Sequence, residues 1–240
     1  MKNKFDYIIF CLNIMFIITF LYFLFLEGIG HCKEIEQWDT ELEAGYSLSK
    51  GNTDKEELYG SIDTKYLYKT HEFQLFGSIR LAESNSIRNE ETYTGKFKYD
   101  KALNDKVSLF VFKGIERNKF KKINIRYYTG SGTKYTFIEG LSLSGAVLYE
   151  HERANSITYD ITRLSIRPKL KYGVFTFTLF YQPNVVEYKD YRIDGIAEIK
   201  LPVTDHLSLK TKCEYRYDSM PEDGIERDDM RFLTSLVWGF

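Results

Sequence analysis

Proline is scarce in this chain of 240 residues, with four in all, and cysteine scarcer still, with three. Few prolines leave long stretches free to donate every backbone N–H to a ladder, which strands require and proline prevents. Cys11, Cys32 and Cys213 lie far apart with no C-x-x-C pair, which excludes a zinc or dithiol motif and an even disulfide framework. Cys32 and Cys213 could form at most one tie, which needs Cα atoms within about 7 Å. An excess of either charge is also missing: 33 Lys and Arg stand against 34 Asp and Glu, so no basic domain invites nucleic acid. No Pro/Gly/Ser-rich linker or shift in composition divides the chain, and its length suits a single domain.

What is abundant is aromatic: 19 Tyr and 18 Phe, which suit the pleated surface of strands. At the start, Lys2 and Lys4 precede an uncharged, largely apolar run from Tyr7 to Leu26, and Gly28-Ile29-Gly30 offers a small-x-small cleavage pattern. That pattern predicts a signal peptide over 1–30, with an uncleaved anchor helix as the alternative because the run is long enough to span. His31, not a small residue, precedes Cys32, which argues against a lipoprotein leader. A short segment, 31–37, then leads to a domain over 38–240.

From Trp38 onward the chain alternates with a period of two, the signature of strand. Trp38, Thr40, Leu42, Ala44, Tyr46 and Leu48 fall on one face, Asp39, Glu41, Glu43 and Ser47 on the other. Twelve such segments can be counted, ending with Phe232, Thr234, Leu236, Trp238 and Phe240. The eighth is the least regular: its apolar phase shifts between Ile161 and Leu164, and Pro168 predicts a bulge or a rim position. Short connections, as at Thr70, 104–106, 137–139, 172–173 and 204–206, interleave with longer polar ones at 84–91, 116–122, 182–190 and 219–228. Runs of ten or eleven residues match the roughly 9 to 11 that a tilted strand needs to cross a bilayer, and exceed the usual five or six of soluble sheets. The sequence therefore predicts an all-β fold: an antiparallel up-and-down transmembrane β-barrel of about twelve strands in the bacterial outer membrane.

The polar face carries both signs of charge. Glu41, Glu43, Asp63 and Lys65 near the start, and Arg192, Asp194, Lys210, Lys212, Glu214 and Arg216 near the end, are the candidate lumen charges, expected to pair across a wet interior. The terminal strand, with Phe232, Leu236, Trp238 and Phe240 facing one way and an aromatic last residue, has the form that the barrel-assembly machinery reads by strand addition. Bilayer lipid, that machinery and small solutes are the expected partners.

Over Trp38 to Lys55, with Glu43-Ala44-Gly45-Tyr46 running into Gly51-Asn52-Thr53-Asp54, the chain resembles the YdiY-like family of salt-induced outer-membrane β-barrel proteins, domain of unknown function 481. The resemblance continues through Lys98-Tyr99-Asp100 and Gly130-Ser131-Gly132-Thr133-Lys134-Tyr135 to Trp238-Gly239-Phe240. It implies an outer-membrane barrel, links it to salt stress through the family name alone, and carries over no established catalytic or binding residues.

Chemistry is thinly represented. Of four histidines, His31 falls at the expected cleavage point, His71 and His206 fall in short turns, and His151 falls at the start of an outer loop with Ser144 and Ser156 nearby in sequence. A solvated loop histidine is the plainer account of His151 than a hydrolytic dyad. The acidic stretch 221–229 lacks the ordered spacing of a calcium loop, and the run 130–134 lacks a phosphate-loop frame and lies in a strand. No catalytic residue, cofactor or metal is expected. The expected function is a narrow small-solute channel or an envelope-stress barrel, with a structural or surface-interaction barrel, and less favourably a rim hydrolase, as alternatives.

Overall fold

The computed structural model describes residues 36–49, 55–84, 87–119, 123–154, 157–221 and 226–240. The leader, the segment to residue 35 and the turn Gly51-Asn52-Thr53 lie outside the described residues.

Twelve strands follow in order: β1 (Glu36–Ser49), β2 (Lys55–Tyr68), β3 (His71–Ser84), β4 (Ile87–Ala102), β5 (Val107–Asn118), β6 (Ile123–Ile138), β7 (Leu141–Ala154), β8 (Ile157–Tyr172), β9 (Phe175–Pro183), β10 (Tyr191–Pro202), β11 (Leu207–Asp218) and β12 (Asp228–Gly239). Each pairs antiparallel with its neighbours in sequence, and β1 pairs with β12, so the sheet closes into a barrel. Closure runs from Glu41↔Gly239 to Gly45↔Ser235. It is sealed where Thr40 and Phe240 exchange two backbone hydrogen bonds of 3.0 Å.

Alternation decides what each wall carries. On β1 the even residues Trp38, Leu42 and Tyr46 are exposed, whereas Glu43 and Gly45 between them are buried. The same holds on β12, where Phe232, Leu236 and Trp238 are exposed and Leu233, Ser235 and Val237 are buried. Exposure of 65% for Trp38, 61% for Leu75 and 66% for Phe232 places large apolar groups on the outside. An outer wall of that kind is stable against hydrocarbon and costly against water. Aromatic rings form a row across the first strands near the short-turn end: Trp38 and Tyr66 at 4.6 Å between centroids, Tyr66 and Phe73 at 6.3 Å, Phe73 and Tyr99 at 5.1 Å. A second group, Tyr181, Tyr191 and Tyr217, lies toward the other end. Two aromatic girdles bounding an apolar belt are the outward signature of a membrane barrel.

The short turns are built by local chemistry. Asn104 Oδ1 accepts from Lys106 N and Val107 N, both at 2.9 Å, and Thr204 Oγ1 accepts from Leu207 N at 3.0 Å. Gly140 turns β6 into β7 with φ of 82°, where an added Cβ would also meet Lys171 O at 2.2 Å.

Two expectations are corrected. Of the described residues in 84–91 all are strand, and in 116–122 residues 116–118 are strand, because β3, β4 and β5 extend their ladders beyond the belt with register shifts at Ala82/Glu83 and Glu116/Asn118. The eighth strand carries no bulge at Pro168. Its ladder to β9 passes from Ile166↔Tyr181 to Lys169↔Thr178 in one register and skips Arg167 and Pro168, where proline offers no donor.

Candidate functional site: the lumen

Inward positions place a charge at almost every level of the barrel, and the register decides which charges meet. Glu43 gathers three partners from three strands: Lys210 Nζ and Ser235 Oγ, each at 2.5 Å, and Ser61 Oγ at 3.4 Å. Glu41 pairs with Lys200 Nζ at 2.8 Å, three strands away around the wall. Asp63 is held by Gln74 Nε2 at 2.8 and 2.9 Å.

Toward the loop end the pairs cross the lumen. Arg80 on β3 reaches Glu214 on β11 at 2.9 Å, and Arg231 on β12 reaches Glu90 on β4 at 2.6 Å. In each case four steps around the barrel separate the partners, so these pairs are struts across one side of the bore. Glu57 lies beneath both guanidinium groups, at 3.5 and 4.0 Å. On the other side, Arg192 bridges Glu150 and Asp218, both at 2.9 Å, and Arg126 binds Glu116. Arg163, 1% exposed, joins Glu150 at 3.3 Å to Asp190 at 2.9 Å and so holds the β9–β10 connection to the wall.

Beside the struts a cavity of about 720 Å³ remains, bounded by strands β4 to β11. Its base is aromatic: the rings of Phe112, Tyr128 and Phe180 line it. Two inward glycines make room for those rings. A Cβ on Gly114 would sit 2.2 Å from Tyr128 Cζ, and one on Gly130 would sit 2.7 Å from Phe112 Cζ.

The candidate lumen charges thus separate into groups. Glu43, Lys210, Lys212, Glu214 and Arg192 are engaged in ion pairs with little exposure; Glu41 and the Arg216–Asp194 pair, at 3.6 Å, are wetter. Lys65 lies opposite Asp39 and Gln74 on the ladders. Sequence reading missed Arg80, Arg163, Lys96, Arg167 and Asp190. Parity marks the four basic residues as inward, and that was the available signal; no signal shows which carboxylate each one reaches.

Of the histidines, His206 lies in its short turn and His71 directly follows one, whereas His151 stands differently from expectation. His151 is not a solvated loop residue. It lies within β7, buried, and its Nδ1 is 2.6 Å from Asp160 Oδ1, which also accepts from Tyr149 Oη at 2.6 Å. Ser144 occupies the opposite face of β7, where Arg167 donates to its Oγ at 3.3 Å, so these two residues do not form a dyad. Ser156 lies outside the described residues. His71 begins β3 and is buried with its Nδ1 2.7 Å from Tyr99 Oη, and His206 stacks on Trp238. Cys213 is a free cysteine on β11; Cys11 and Cys32 lie outside the described residues.

A closed twelve-stranded antiparallel barrel with an apolar, girdled outer wall and a charged lumen is a transmembrane β-barrel of the bacterial outer-membrane class. Closure leaves the sheet without a free edge, and the bilayer covers the outside. Within that class the chain belongs to the family described as "Protein of unknown function, DUF481", whose model matches residues 42–240. No curated protein matches it. Among solved structures it is similar to the NanC porin, with a TM-score of 0.51 and 11% identity over 83% of this chain and 98% of that one. It is also similar to the KdgM porin, with a TM-score of 0.50 and 11% identity over 84% and 99%.

Proposed function

We propose that this protein is a narrow channel for small hydrophilic solutes across the outer membrane. The observation that carries the reading is the cavity of about 720 Å³ left beside the struts, walled by charges of both signs. Fully paired struts fix the bore and keep the inner wall wet without leaving a large open hole. A likeness in fold to two proteins that are porins by name supports the reading. Export by the leader over 1–30 and assembly through Phe232, Leu236, Trp238 and Phe240 belong to the same proposal, and a role in envelope adaptation to salt follows the family resemblance.

Single-channel recording from refolded protein in a planar bilayer tests it. Discrete openings whose ion selectivity moves when Lys210 or Glu214 is neutralised support the channel. The cross-lumen pairs Arg80–Glu214 and Arg231–Glu90 favour a second reading, a structural barrel that conducts nothing. A folded but silent barrel selects that reading.

A further inference from the structure

The basic residues of the lumen differ in one respect. Arg80, Arg126, Arg163, Arg192 and Arg231 each hold a carboxylate. Lys96 on β4 and Arg167 on β8 face the same cavity, and among the described residues neither is in a salt bridge with an acidic side chain. The acidic groups closest to them in charge are already engaged: Asp100 by Lys98, and Asp63 by Gln74. The cavity lining as a whole is balanced, with eight basic and eight acidic residues, so the excess is local to the base.

The surroundings of these two cations are shaped for more than an ion. Lys96 Nζ lies 5.7 Å from the centroid of Phe112, and the Arg167 guanidinium lies 5.6 Å from that of Phe180. Phe112 and Tyr128 stand 6.3 Å apart on neighbouring strands, each ring seated over a glycine where any side chain would collide with it. Arg167 further donates to Ser144 Oγ at 3.3 Å, which orients the guanidinium along the wall. Two half-buried cations that line one cavity with no carboxylate paired to either are costly to hold there unless an anion joins them. A ring face beside each cation adds an apolar surface for a ring-bearing ligand.

We infer that Lys96 and Arg167, with the rings of Phe112, Tyr128 and Phe180, form a mid-lumen binding site for a ring-bearing carboxylate of the sugar-acid class. The carboxylate bridges the ammonium and the guanidinium, and the sugar ring lies against the aromatic faces. Its part in transport rests on the channel reading above; the binding itself does not.

Isothermal titration of the refolded barrel in detergent micelles with glucuronate, glucose and acetate tests the site. Glucuronate binds at least about tenfold more tightly than glucose, which lacks the charge, or acetate, which lacks the ring; one charge-assisted hydrogen bond supplies a difference of that order. K96Q and R167Q each weaken glucuronate about tenfold, and F180A weakens it severalfold. K200Q, which removes a cation already paired with Glu41, leaves the affinity unchanged. Charge-retaining K96R and R167K keep measurable binding and serve where a glutamine variant does not fold. Glucuronate that binds no better than acetate, or that binds equally to folded K96Q/R167Q protein, overturns the site. A barrel that binds glucuronate without conducting overturns the channel and keeps the site; one that conducts and ignores glucuronate does the reverse.

Discussion

Arg163 grips Asp190 with a single nitrogen shared between both carboxylate oxygens, Nη2 lying 2.9 Å from Oδ1 and 3.0 Å from Oδ2, while its Nη1 donates to the backbone carbonyls of Gln182 and Asp190 at 3.2 Å each. One side chain on β8 therefore fixes both ends of the β9–β10 connection. Without it the connection is held chiefly by its own short bonds, such as Asn184 Nδ2 to Asp190 at 3.0 Å.

Replacing Arg163 by Ala is expected to release that connection. It strands Asp190 and weakens the hold on Glu150, and breaking a buried pair costs about 3–5 kcal/mol. Limited proteolysis should cut within 184–190 much faster than in the unaltered protein, and single-channel conductance should rise. An unchanged digestion pattern contradicts this role.

Glu43 is the equivalent anchor near the short-turn end. Ala at this position leaves Lys210 and Ser235 without their shared acceptor and should lower stability by about 3 kcal/mol or more, read as a lower temperature of loss of the compact gel form. Gln, which still accepts a hydrogen bond, should recover part of the loss.

The membrane reading makes a prediction about depth. Arg in place of Ile79, on the outward face midway along β3, should destabilise by about 2–4 kcal/mol, and Arg in place of Trp38, in the aromatic row, by about 1 kcal/mol or less. Equal effects at both positions, measured by urea titration in lipid vesicles, contradict an apolar belt between the two girdles.

Phe240 separates assembly from stability. Phe240→Ala retains the backbone exchange with Thr40, so refolding of purified protein into vesicles should be little altered, whereas cellular assembly should fall several-fold if the side chain is read by the assembly machinery. Deleting the residue removes the exchange too and should impair both.

The wall was legible in the sequence because period two is a local property: Trp38, Leu42 and Tyr46 declare the outside of β1 within nine residues. The lumen was legible only halfway. Parity points Arg80 and Glu214 inward, but their meeting depends on barrel closure and on the stagger of five strands, which no local pattern encodes. Pro168 misled for a related reason. A missing donor predicts a distortion, yet the ladder skips two residues without changing register. Lys96 and Arg167 were invisible as a pair because what sets them apart is the absence, among the described residues, of a carboxylate paired with either. His151 was misplaced because β7 continues past the belt, carrying into the strand a residue whose polar flanks, Glu150 and Glu152, suggest a loop.

The pairing of β1 with β12 bears on how the molecule reaches this state. Eleven of the twelve strand pairs join neighbours in sequence, so they can zip one hairpin at a time at little entropic cost. The twelfth spans almost the whole described chain and is the shortest ladder on β1, five residue pairs against fourteen with β2. Until that seam forms, the intermediate is a curled ribbon with two sticky margins, prone to recruit another chain in place of its own end. Kinetic control therefore rests on this one zipper, and lesions at Thr40 or Ser235 should show as dimers and aggregates long before they show as lost strands.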